Sequence, residues 1–150
     1  MLNLSKKILV AIDGSPQSDK AAEEAIRLAK GSGSRTKSEV YALLVLPGMR
    51  LPSYTDFVPA PLATERSEWE EERKRIFYVV DKAAAEADIP LRAEVVYGDA
   101  TEEILAFAEE REIDVIVIGS SGSGRVKRAF IGSVSTKVAL NARCSVYIVR

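Results

Sequence analysis

The chain has 150 residues, 47% apolar and 29% charged, with 21 basic side chains set against 22 acidic ones. That length suits one ordinary domain, spanning residues 1–150, that buries roughly 70% of its unfolded surface, and the formal net charge of −1 offers no global attraction to nucleic acid or anionic membrane. With no histidine and a single cysteine, Cys144, the chain excludes an intrachain disulfide, an imidazole metal site and any Ser-His-Asp or Cys-His catalytic group.

Met1 to Lys7 has no apolar core of the signal-peptide kind, and no apolar run approaches membrane-spanning length, so a cytoplasmic location is expected. Lys7-Ile8-Leu9-Val10-Ala11-Ile12 is continuously apolar after its first residue, as a strand buried on both faces is. It runs into Asp13-Gly14-Ser15-Pro16, where Ser15 suits an N-cap and Pro16 the first helical position. Ala22, Ala25, Ile26 and Ala29 make one face of the helix that follows, which stops near Gly31. Glu39 to Leu46 reads as a second buried strand.

Pro47 to Pro61 holds four of the six prolines, which excludes helix and inner strand. Its Met49, Leu51, Tyr54, Phe57 and Val58 suit either a cover over a pocket or a small satellite core. A long helix is expected from Ala63 to Ala87, with Trp69, Ile76, Val80, Ala83 and Ala87 on its inner side. Its charges pair at i,i+4 (Glu70 with Lys74, Glu71 with Arg75) as on a solvated face. Leu91 to Tyr97 is a third strand. Asp99, with Glu102 three residues on, signals the start of a helix whose apolar face is Ile104, Phe107 and Ala108.

Asp114 to Ile118 is a fourth buried strand. Gly119-Ser120-Ser121-Gly122 follows it, and nine residues later comes Gly132-Ser133, the start of a last helix with Val134, Val138 and Leu140 or Ala142 facing inward. Ser145 to Val149 closes the chain as a fifth strand. Strands alternating with helices imply an α/β fold: an open parallel sheet with helices on both faces and ligands at the carboxyl ends of its strands.

A strand, a glycine- and serine-rich basic loop, and a helix opening at Gly-Ser suit a phosphate. Glycine permits close backbone approach, and the helix start adds unpaired N–H donors and partial positive charge. Gly119, Gly122, Gly132 and Ser133 carry this reading, with Ser121 and Ser123 offering hydroxyls and Arg125, Lys127 and Arg128 charge. A plain surface loop with Ser133 as N-cap is the alternative. Asp13 suits either a ribose or magnesium contact, or else an Asx-turn or a cap for the following helix. There is no Walker sequence, and the first strand does not lead to Gly-x-Gly-x-x-Gly. Cys144 reads as a small buried hydrophobe.

The whole chain resembles the universal stress proteins. The likeness rests on Lys7 to Ser15, on Gly98-Asp99, and on Asp114 to Val149, where Gly119-x2-Gly122-x9-Gly132-Ser133 repeats the spacing of the family's ATP-binding subgroup. The resemblance implies strand order 3-2-1-4-5 in a Rossmann-like sheet of the adenine nucleotide alpha hydrolase type. It also implies an ATP or other adenine-nucleotide site with Mg2+ or Mn2+ on the phosphates. Adenine is then expected near Val45, and the nucleoside near Ala11 and Asp13, with Asp13 on the ribose or the metal. Gly119 falls beside the ribose, and Gly122, Gly132, Ser133 and Val134 at the phosphates. Many relatives carry histidine or arginine between the first two glycines, where this chain has Ser121. A homodimer through the last strand is implied as well. The function so implied is a nucleotide-dependent stress-response module with little or slow hydrolysis and no assigned catalytic residue. A slow ATPase or nucleotide-transfer enzyme, or a dimerisation module with an empty loop, are the alternatives.

Overall fold

The structure, a computed structural model, describes residues 5–31, 38–48, 63–121 and 131–150. Nine elements follow one another: β1 (Lys7–Ala11), α1 (Pro16–Lys30), β2 (Glu39–Leu46), α2 (Ala63–Ala87), β3 (Leu91–Tyr97), α3 (Ala100–Glu110), β4 (Val115–Gly119), α4 (Ser133–Asn141) and β5 (Ser145–Val149). The five strands form one sheet in the order β3-β2-β1-β4-β5. All four pairings are parallel, with Ile8 opposite both Val40 and Val115. Both the α/β class and the strand order implied by the family resemblance are present.

Strand side chains alternate between the two faces and so divide the core in two. Ile8 and Val10 of β1, Val40, Ala42 and Leu44 of β2 and Val117 of β4 face α1 and α2. Leu9, Tyr41, Leu43, Ile116 and Ile118 face α3 and α4. A sheet buried on both sides requires apolar residues at consecutive positions, which is why β1, β2 and β4 are unbroken apolar runs.

Helix starts are set by local chemistry. Ser15 Oγ accepts from the Ser18 amide at 3.2 Å, with Pro16 behind it, and Asp99 Oδ1 accepts from the Glu102 amide at 3.0 Å. The ends of α2 and α3 use a different device, since Asp88 and Glu112 just beyond them both have φ of 53°.

Two inner faces and one surface ion pair differ from expectation. The deepest residues of α2 are Phe77, Val80 and Ala84, and Trp69, Ile76, Ala83 and Ala87 only flank them. On α4, Leu140 points outward at 78% exposure, while Val138 and Ser135 are buried and Ala142 packs at the margin. Arg75 pairs with Glu72 rather than Glu71, at 2.6 Å and one position nearer on the helix. The apolar residues expected to cover a pocket (Met49, Leu51, Tyr54, Phe57 and Val58) lie outside the described residues.

Candidate functional site

In a parallel sheet every strand delivers its carboxyl end to the same edge. β1 continues through α1 to β2 on one side of it, and β4 through α4 to β5 on the other, so the two connections part between them. A crevice opens where they part. It holds a cavity of about 350 Å³ whose apolar wall includes Ala11, Leu43, Val45 and Ile118 from three strands. Gly119, Ser121, Gly132, Ser133 and Val134 form a second wall, and Asp13 and Ser15 a third.

Every expected site residue within the described chain lines this cavity: Ala11, Asp13, Val45, Gly119, Gly132, Ser133 and Val134. Gly122 lies outside the described residues, as do Ser123, Arg125, Lys127 and Arg128. Ala100 and Ile104 of α3 line the cavity too; neither was expected at the site, Ile104 having been read only as part of that helix's apolar face. A signal was present, because Asp99 marks a helix start that follows a strand, and all such starts fall on this edge.

The Asp13 turn is held by its own hydrogen bonds. Asp13 Oδ1 accepts from the Ser15 amide at 2.8 Å, the Asx-turn foreseen as one alternative. Gly14 takes φ +81°, open to glycine at little cost. The Asp13 amide donates to Ser18 Oγ at 3.3 Å, and that hydroxyl donates to the Ser15 carbonyl at 3.0 Å. Asp13 remains exposed, and its second carboxylate oxygen has no hydrogen bond among the described residues. Nearby, burial and then the charges of Glu23 and Asp13 push the Asp19 carboxyl up from its ordinary range.

The other wall is closed by close approach. The Ser120 amide donates to the Val149 carbonyl at 2.7 Å, and the Gly132 amide donates back to the Ser120 carbonyl. A Cβ at Gly132 would stand 3.1 Å from that carbonyl oxygen, and one at Gly119 would stand 3.1 Å from the Gln17 backbone. Both glycines therefore serve the protein's own packing as well as lining the cavity.

Three helices begin at this cavity, and they differ in one respect. The first turns of α1 and α3 are capped by Ser15 and Asp99. The N-cap of α4 is Gly132, at φ −61° and ψ 161°, and it supplies no side-chain hydrogen bond. Ser133 is consequently the first helical residue rather than the cap. Among the described residues, the leading amides of α4 and the exposed Ser133 hydroxyl have no hydrogen-bond partner. Because an anion at a helix start gains from both the free donors and the dipole, this end of the cavity suits phosphate.

Asp13 is the one ionisable side chain among the described lining residues. The described residues contain no cluster of three or more groups able to hold a metal ion. A cation here would take one carboxylate from the protein and the rest of its oxygens from phosphate and water, the coordination expected of magnesium. Cys144 lies elsewhere, half-buried against the core on the α3 and α4 side, and burial raises its thiol above the usual value. It packs as a small hydrophobe, less deeply buried than expected.

A model of the universal stress protein family matches residues 5–150. The chain is 36% identical to universal stress protein YxiE of Bacillus subtilis, covering 96% of this chain and 98% of that protein. It is 34% identical to universal stress protein MJ0531 of Methanocaldococcus jannaschii, covering 99% and 84%. Universal stress protein UspA from Lactobacillus plantarum superposes with a TM-score of 0.75, at 26% identity and full coverage of both chains. Two more distant structures share the fold. One is a universal stress protein in complex with cAMP, with TM-score 0.68, 19% identity and 97% of each chain covered. The other, from Archaeoglobus fulgidus in complex with dAMP, has TM-score 0.66, 20% identity and coverage of 99% and 100%. No described helix is long and apolar enough to cross a membrane.

Proposed function

The chain belongs to the universal stress protein family, and from that premise we propose that it is a cytoplasmic ATP-binding module whose nucleotide occupancy regulates a stress response. The observation that carries this reading is the uncapped α4 start among three helix starts at one cavity. It polarises the cavity, with phosphates at Gly132, Ser133 and Val134, and with Gly122 joining them from the same glycine pattern. The apolar wall by Ala11, Leu43 and Val45 then receives adenine, and Gly119 and Asp13 flank the ribose. Two structural neighbours hold adenine nucleotides, cAMP and dAMP, in support of this class of ligand.

Asp13 contributes negative charge to a site for an anion, so Mg2+ or Mn2+ between its second carboxylate oxygen and the phosphates would offset both. Efficient hydrolysis needs a base beside the phosphates. The chain has no histidine, and Asp13 already accepts from Ser15. Holding ATP outweighs turning it over, and a slow ATPase is the second reading. The apolar strand β5 at the sheet edge supports pairing with a second copy, which a sedimentation profile of dimer mass would bear out and one of monomer mass would reject.

Mass spectrometry of small molecules released from freshly purified protein tests the assignment. An adenine nucleotide is expected. Its absence, with none retained after incubation with MgATP and desalting, would overturn the reading. A bound pool that stays ATP over days favours the binder over the slow hydrolase.

A further inference from the structure

We propose that Ser135 is a positioning residue for the phosphate end of the site, clasping the two ends of the connection between β4 and α4; this rests on the nucleotide reading above. Ser135 is the third residue of α4 and is 2% exposed. Its Oγ lies 3.1 Å from the Ser120 carbonyl oxygen and 3.0 Å from that of Gly132. A hydroxyl has one proton to donate and a carbonyl oxygen two lone pairs. The Gly132 oxygen already accepts from the Thr136 amide at 3.0 Å and from Thr136 Oγ1 at 2.9 Å. Among the described residues, the Ser120 oxygen otherwise accepts only from the Gly132 amide. The proton of Ser135 therefore belongs to Ser120.

That assignment turns a short-range helical contact into a tie across fifteen residues. Ser120 is anchored on its other side by its amide bond to Val149. The start of α4 is thereby fixed to the end of β4, and the direction of the leading amides at Ser133 and Val134 is fixed with it. Gly132 lets the two backbones come this close, since a Cβ there would press on the same Ser120 oxygen. Glycine and serine act as one device: Gly132 permits the approach and Ser135 holds it. Ser135 lines the cavity but acts on a ligand through the backbone it positions.

The test is calorimetric titration of the full chain with MgATP and, separately, with adenosine, which lacks phosphate. Ser135→Ala is expected to weaken MgATP binding about fivefold, the effect of one lost hydrogen bond, and to leave adenosine affinity unchanged. Ser135→Cys, close in size with a weak donor, should show the same selective loss if the alanine variant folds poorly. Thr136→Ala also loses a hydroxyl bond to Gly132 but does not reach Ser120, and should bind both ligands as the unaltered chain does. Unchanged MgATP affinity in the Ser135 variants, or an equal loss for both ligands, would overturn the clasp. Absence of MgATP binding in the unaltered chain would overturn the nucleotide reading and this inference with it.

Discussion

Asp13 carries a structural contact on one oxygen and, in the function proposed above, a ligand contact on the other. The sequence left an Asx-turn and a ligand contact as alternatives; the turn is present, with Oδ1 holding the Ser15 amide, and Oδ2, which has no hydrogen bond among the described residues, is the atom proposed for the ligand. Asp13→Asn keeps an oxygen for the turn and removes the charge. It is expected to leave the melting temperature within a few degrees while reducing the Mg2+-dependent part of ATP affinity about tenfold, as for a lost charged contact. A thermal melt beside titrations with and without Mg2+ measures both, and a fall in melting temperature alone would make Asp13 a turn residue only. The glycines carry a similar double duty. Their spacing was legible as a phosphate pattern, but a pattern does not say what each glycine touches. Gly119 abuts the Gln17 backbone and Gly132 abuts Ser120, contacts made across the fold that no local reading contains.

Among the elements, strands were the most legible, because a sheet covered on both faces imposes unbroken apolar runs. β2 and β5 occupy the residues expected of them, Glu39 to Leu46 and Ser145 to Val149. Helix extents were legible where caps marked them, as at Ser15 and Asp99. Helix faces were less so. Apolar residues ring much of α2 between Trp69 and Ala87, and the inner side expected at Trp69, Ile76, Val80, Ala83 and Ala87 omits Phe77 and Ala84, which with Val80 lie deepest. On α4, nine residues give too few turns to fix a face. Leu140 stands in solvent while a serine takes the inner position, because Ser135 finds a carbonyl partner there. Phe77, at 2% exposure between α2 and the sheet, gives a quantitative check. Phe77→Ala should cost about 3–5 kcal/mol in denaturant unfolding, against a change within about 0.5 kcal/mol for Leu140→Gln.

At the scale of the whole molecule, the site follows from topology. Parallel strands bring every helix start to one edge, and the order β3-β2-β1-β4-β5 places the ends of β1 and β4 side by side. Residues more than a hundred positions apart, Asp13 and Gly132, thereby line one cavity. That much was legible once strands and helices alternated. What the sequence withheld was the difference among the helix starts, since capping depends on whether Ser133 or Gly132 ends up in the cap position. The central claim is that the uncapped start of α4 holds the phosphates of an adenine nucleotide, and Gly132→Val tests it most directly. The N-cap backbone at φ −61° and ψ 161° admits any residue, while the added side chain pushes against Ser120 and into the phosphate end. Calorimetric titration of MgATP is expected to show one site per chain in the unaltered protein and none in a folded Gly132→Val variant. Equal binding by the two proteins would contradict the account.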